Sequence, residues 1–352
     1  MLKSAKFQSF TTVPNSTWTF ASGLNVIVGE NGQGKSHVLK ALYAMLKVQA
    51  GRPEDMTKSN LERAYADKLV KVMRPEGLGR LVKRKQGRDR CEIVLTMKAQ
   101  RASSGIGFAT NAKSQVDVVQ VPEARLDLSP VYLPTRELIT LCPWFVGLYD
   151  NYHLEFEETW RDTVSLLGAP SVRGPREQRA AELLRPLELA LGGKVVLDAK
   201  SGRFYLEMPG EGRMEMPLVA EGLRKFAMLA RLISSGTLLD KGYLFWDEPE
   251  TNLNPKLIKV LAQCIVTLAA QGIQVFLATH SLFLLRELDM LTDPATLQAS
   301  GSIRPPATRF FALRRDPEGA ALEQGDRPED LQTLLLLDEE LQQSDRFMNG
   351  GA

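Results

Sequence analysis

The chain has 352 residues, 44% of them hydrophobic, and its 44 Lys and Arg against 42 Asp and Glu leave a net charge of +2. That length and apolar content allow one large α/β domain with insertions or two modest ones, and the near balance of charge gives no global argument for nucleic acid. Cys91, Cys142 and Cys264 are scattered, without C-x-x-C spacing or nearby paired histidines, which argues against a disulfide scaffold or a zinc site. The opening MLKSAKFQSF lacks the apolar core of a signal peptide, and no stretch approaches about 18 uninterrupted apolar residues. A soluble, cytoplasmic protein with no membrane partner is therefore expected.

Strands are expected over 2–7, 17–20 and 24–28, followed by a loop and a helix over 35–48. The loop reads GENGQGKS at 29–36 and has the G-x4-G-K-[ST] spacing of a phosphate-binding loop. Gly29 and Gly34 let the backbone fold around a β-phosphate, so that main-chain amides and a helix N-terminus point at the anion. Lys35 then reaches the β- and γ-phosphates, and Ser36 offers its hydroxyl to Mg²⁺. Glu30, Asn31, Gly32, Gln33 and His37 complete the expected nucleotide-binding set.

After Gly51 the character changes. A helix over 57–72, a basic run and strand-like pieces such as 91–97 suggest an inserted α+β lobe over about 51–130. Helices around 155–167 and 177–191 and short strands near 194–198 and 204–208 make up a mixed subregion over 135–215. From Glu221 the order is again alternating: helix to 233, strand 243–246, helix 255–270, strand 274–278, helix 282–288. A parallel sheet with its ligand at the strand C-termini follows from that order. The tail, 291–352, holds two strand-like pieces, 308–313 and 320–323, and a leucine-rich helix over about 329–346 expected to pack on the head.

The strand over 243–246 ends in Asp247 and Glu248. A buried strand of this kind delivers Asp247 to the Mg²⁺ shell and places Glu248 to orient or deprotonate a water for attack on the γ-phosphate. One strand later, His280 stands where an imidazole can hydrogen-bond that phosphate.

GENGQGKS, LFWDEPE followed by Asn252-Leu253-Asn254-Pro255, and Ala278-Thr279-His280-Ser281 together resemble the ATP-binding-cassette class of ATPase heads. Within that class the chain looks like the small soluble AAA-family or ABC-type ATP-binding proteins. These are related to the ATPase half of OLD (overcoming lysogenization defect) proteins and to the heads of DNA-repair and chromosome-maintenance ATPases. The motifs cover about 1–50 and 215–290, and Pro134-Thr135-Arg136-Glu137 is similar to the P-x-R-E segment of the soluble group. The resemblance implies a P-loop NTPase fold, α/β, in which an ABC-type head over 1–290 carries the inserted lobe. It also implies a homodimer that sandwiches two ATP molecules, each site completed by a signature segment of the opposite subunit. Here that segment matches 219–225, with Gly222 at the signature glycine and Ala220 where the usual serine stands. Arg224 or Lys225 is expected to supply compensating charge across the dimer. Asn252 and Asn254 fall in the loop that crosses the interface, and Arg136 or Glu137 in the position of a metal- and water-sensing glutamine. Phe7 or Phe10 is a candidate for stacking on the base.

Two segments suggest partners. Arg80, Lys83, Arg84, Lys85, Arg88 and Arg90 crowd one stretch with a single acid, Asp89, and could track the backbone of DNA or RNA. Leu331, Leu334, Leu335, Leu336 and Leu337 exceed a simple helical stripe and point to packing on the core or to a subunit contact. The overall expectation is an ATPase whose ATP-dependent dimerisation regulates a nucleic-acid-directed process, as in bacterial antiphage systems with a separate nuclease or toxin effector. A DNA-repair ATPase is the alternative, and a transporter subunit is disfavoured by the long insertion and the absent signature serine.

Overall fold

A computed structural model describes residues 1–51, 57–85, 87–152, 154–240, 242–293, 305–316, 319–332 and 335–348. Strands β1 (Leu2–Gln8), β2 (Ser16–Thr19) and β3 (Leu24–Val28) lead into α1 (Lys35–Gln49) and α2 (Lys58–Met73). Next come β4 (Arg90–Met97), β5 (Ser104–Ala109), β6 (Asp117–Gln120) and β7 (Val131–Leu133). Helices α3 (Phe145–Tyr152), α4 (Glu158–Leu167) and α5 (Pro175–Leu191) precede a small antiparallel sheet of β8 (Lys194–Leu197), β9 (Phe204–Met208) and β10 (Gly212–Glu215). The chain continues through α6 (Glu221–Ser234), β11 (Tyr243–Asp247), α7 (Pro255–Ala270), β12 (Gln274–Thr279) and α8 (Leu282–Thr292). It closes with β13 (Thr308–Asp316), β14 (Gly319–Gly325) and α9 (Leu335–Met348).

The central sheet runs β14-β13-β3-β12-β11-β7. All neighbours are parallel except β13 and β14. Every residue of β3, β11 and β12 is buried, as expected of parallel strands covered on both faces. Successive side chains alternate between two cores. Leu24, Val26, Val28, Leu244, Trp246, Val275 and Leu277 join the core built with α4 to α8. Ile27, Phe245, Phe276 and Ala278 face the other way, toward α1, α2 and a second sheet.

That second sheet is antiparallel, ordered β2-β1-β4-β5-β6. The strands of the 51–130 region thus pair directly with β1, in a register from Leu2↔Met97 to Gln8↔Glu92. The α+β insertion is in this way continuous with the N-terminal strands. Likewise β13 lies beside β3 in the central sheet, with Phe310 opposite Val26.

Two expectations need correction. Phe7 and Phe10 are fully buried, stacked on each other at 5.7 Å with Trp18 edge-on to Phe7, so neither is free to stack on a base. The last helix begins at Leu335 and not near 329, because Pro328–Asp330 closes a separate single turn. Leu331 is buried in the core, while Leu334 and the side chains of Leu335, Leu336 and Leu337 lie outside the described residues. Among the described residues no helix is long and apolar enough to cross a membrane.

Candidate functional site

The C-terminal ends of β3, β11 and β12 lie side by side, with Asp247 opposite Ala278 and Thr279 opposite Val28. This edge gathers the loop at 29–36, the carboxylate turn and His280. Within the loop, a side chain at Gly29 would place its Cβ 2.5 Å from Gln33 Oε1, and one at Gly34 would sit 2.8 Å from Thr12 Oγ1. Gly34 also has φ 99°, a left-handed conformation that opens α1 with no side-chain cap on its first amides. Those amides are the donors a phosphate would use.

Lys35 is buried, and its Nζ donates to the carbonyls of Gly29 at 2.7 Å and Glu30 at 2.9 Å. Burial pushes its ammonium below the ordinary lysine range, against the opposing pull of Glu248, Asp247 and Glu250. Gln33 braces the loop from inside, accepting from the Glu30 amide at 3.0 Å and donating to Glu30 Oε2 at 3.1 Å. Glu30, Asn31 and Gly32 are exposed on its rim. His37 follows Ser36 on α1, its Nδ1 3.0 Å from Thr11 Oγ1, and burial lowers its pKa, favouring the neutral ring.

Asp247 is 7% exposed at the end of β11. Burial raises its carboxyl above the usual range, while the Ser36 hydroxyl, Lys40 and Tyr132 pull the other way. Tyr132 on β7 donates to Oδ2 at 3.4 Å, and Oδ1 is buried with no hydrogen-bond partner. An orphaned carboxylate oxygen beside a serine hydroxyl fits a hard divalent cation. Ser36 and Asp247 would hold Mg²⁺, which when bound supplies charge neutralisation for the β- and γ-phosphates.

Glu248 has φ 46°, a left-handed conformation that costs a residue with a Cβ roughly 1–2 kcal/mol. Its amide donates to Ala278 O at 2.8 Å, which ties it to β12. His280 Nδ1 lies 3.2 Å from Glu248 Oε1 and 3.9 Å from Glu250 Oε1. Glu250 is 6% exposed, accepts from the Thr279 hydroxyl at 2.6 Å, and is pushed upward chiefly by its burial. The arrangement can bind a nucleotide triphosphate through loop amides and Lys35, and offers Glu248 as the carboxylate for an attacking water. Sequence reasoning missed Glu250 and Tyr132. Glu250 stands three residues past Asp247, but nothing in the sequence shows that the turn folds it back under β12.

The segment at 219–225 opens α6, and here the structure revises the expectation. Arg224 and Lys225 both turn inward. Arg224 Nη1 donates to Glu137 Oε1 at 2.6 Å, and Lys225, 3% exposed, donates from Nζ to Glu248 O at 3.3 Å. Within this chain Arg224 is thus taken up by a carboxylate and Lys225 by a peptide carbonyl beneath the turn after β11. Gly222 packs on the turn after β11, where a Cβ would fall 2.3 Å from Asn252 O. Asn254 caps α7, its Oδ1 accepting from the Leu257 amide at 3.0 Å, and Asn252 is exposed at φ 65°. Arg136 is exposed, whereas Glu137 is taken up by Arg224 and Thr140.

In the basic stretch, Arg80 pairs with Glu76 at 3.0 Å, Lys85 with Asp89 at 2.8 Å and Arg90 with Asp117 at 2.6 Å. The local positive field is therefore weaker than the sequence suggests, and Gln86 lies outside the described residues.

A protein-family model described as "AAA domain, putative AbiEii toxin, Type IV TA system" matches residues 107–286. It spans Asp247, Glu248 and His280 but not the loop at 29–36. The fold is similar to that of an SMC head solved bound to the C-winged helix domain of ScpA, with TM-score 0.55 at 12% identity over 93% of this chain and 98% of that one. It is also similar to an SMC head with an extended coiled coil bound to the C-terminal domain of ScpA, derived from Pyrococcus furiosus. There the TM-score is 0.54 at 11% identity, over 98% and 99% of the two chains. At such identities the likeness speaks for the fold, a mixed α/β head of the ABC/SMC type with an inserted α+β region. It does not single out the OLD group.

Proposed function

This chain belongs to that AAA-domain family, and on that premise we propose that it binds and hydrolyses ATP with Mg²⁺ and pairs with a second copy of itself when ATP is bound. The observation that carries the reading is the convergence at one sheet edge of Lys35, the orphaned Asp247 Oδ1, and the Glu248–His280 contact at 3.2 Å. Lys35 and the amides of 29–36 hold the phosphates. Asp247 and Ser36 hold the metal. Glu248 accepts the proton of the attacking water, and His280 hydrogen-bonds the γ-phosphate.

Pairing is supported by the start of α6, whose N-cap Ala220 contributes no side-chain bond. Its first amides are then the donors for a nucleotide held by the other copy. The family's toxin and type IV TA description supports a place in antiphage defence, where ATP-dependent pairing controls a separate nuclease or toxin effector and a nucleic-acid-directed process. Lys83, Arg84 and Arg88 are the cations of the basic stretch suited to phosphate contacts.

Sedimentation of the Glu248→Gln variant tests the pairing. With Mg²⁺ and ATP it is expected to run as a dimer and without nucleotide as a monomer. A monomer under both conditions refutes the reading.

A further inference from the structure

We propose that Lys225 is a positioning residue for Glu248: from the second turn of α6 its ammonium holds the peptide carbonyl of the general-base residue. The inference rests on the hydrolytic role proposed for Glu248 and adds the group that keeps that residue in place.

Glu248 sits in left-handed backbone at φ 46°, which a residue with a Cβ keeps only when its surroundings hold it there. Three donors converge on its carbonyl. Thr251 contributes its amide at 3.3 Å and its hydroxyl at 3.0 Å, and Lys225 adds Nζ at 3.3 Å from a different element. The two Thr251 bonds are internal to the turn. Among the described residues, the Lys225 bond is the one that fastens this carbonyl to α6.

One turn earlier on the same helix, Gly222 lies against the Asn252 carbonyl so closely that no Cβ fits. The start of α6 thus grips both ends of the turn from 248 to 252. Glu250, inside that turn, is buried with Oε2 unpartnered, and it is the strongest of the opposing charges acting on Lys225. Its other oxygen holds Thr279, the residue before His280. Lys225 therefore ties α6 to Glu248, whose carboxylate is in turn 3.2 Å from His280 Nδ1.

A lysine buried only to fill space is replaceable by an apolar side chain of similar length with no loss of turnover. A lysine that positions Glu248 is not.

The test uses the full chain, with phosphate release and the affinity for a fluorescent ATP analogue measured on wild type, Lys225→Met and Lys225→Arg. Lys225→Met is expected to lower kcat by about tenfold or more while analogue affinity stays within about threefold, and Lys225→Arg to restore much of the rate. Should Lys225→Met not fold, Lys225→Gln, which keeps a polar tip without the charge or the reach, carries the same comparison. The proposal is overturned if the neutral variant turns over within about twofold of wild type, or if affinity and rate fall together and arginine rescues neither. Absence of turnover in the wild type would overturn the functional reading itself, and this proposal with it.

Discussion

Arg224 Nη1 and Glu137 Oε1 lie 2.6 Å apart and tie the first turn of α6 to the chain leaving β7. Both side chains are largely shielded, at 20% and 8% exposure, and Arg224 Nε has no partner of its own. Truncating Glu137 to alanine leaves a partly buried guanidinium without its carboxylate. The expected cost is about 1–3 kcal/mol, between a surface pair and a fully buried one, read from urea unfolding midpoints. Replacing both partners by methionine is expected to recover part of that loss.

Gly222→Ala tests the packing of α6 on the turn after β11. A Cβ 2.3 Å from Asn252 O forces backbone apart, since neither atom is the end of a flexible side chain. A loss of about 1–3 kcal/mol is expected, together with slower ATP turnover. A variant with wild-type melting temperature and rate would show that the contact relaxes freely.

Much of this was legible in the sequence for specific reasons. The loop at 29–36 and the strand ending in Asp247 announce themselves because phosphate binding and burial on both faces each impose a tight local pattern. His280 followed from its place after the next strand. What stayed hidden depends on long-range pairing. That β1 joins β4, or that β13 lies beside β3, is decided by registers between residues far apart in the chain. The same holds at the site. Lys225 and Arg224 read as exposed cations at a helix start, and only the fold shows them turned onto Glu248 and Glu137. Phe7 and Phe10 read as possible base-stacking rings because strand phenylalanines look alike until the second sheet is seen to cover them.

Lys225 should impose an alkaline limb on hydrolysis. Burial pushes its pKa down to about 8, against the opposing effect of Glu250, Glu221 and Glu248. The ammonium is charged below that pH and neutral above it, so the hold on Glu248 weakens as pH rises through about 8. The rate is expected to fall over that range in the wild type. In Lys225→Arg, whose guanidinium stays protonated, the limb should move out of reach.

Asp162 predicts a component of acid sensitivity. Burial alone would raise its carboxyl, but Lys68 and Lys47, with hydrogen bonds from Lys68 and Tyr43, hold it below the ordinary 3.8. Lys68 reaches it at 2.6 Å, as does the Tyr43 hydroxyl of α1. A carboxyl with a depressed folded pKa adds stability that is fully present above its unfolded value and is lost as pH falls through the folded one. Wild type is expected to be more stable than Asp162→Asn at neutral pH, and the gap to narrow as pH drops below 3.8. Urea midpoints from pH 7 to about pH 3 would measure it.

The most direct test of the central account is phosphate release from Mg²⁺ and ATP by wild type and Glu248→Gln at equal nucleotide occupancy. Steady turnover is expected in the wild type. The variant should bind ATP as well and turn over about a hundredfold more slowly, since amide replaces the general-base carboxylate and leaves the loop untouched. Equal rates in the two proteins, or no hydrolysis by the wild type, would contradict the assignment of this sheet edge as an ATP-hydrolysing site.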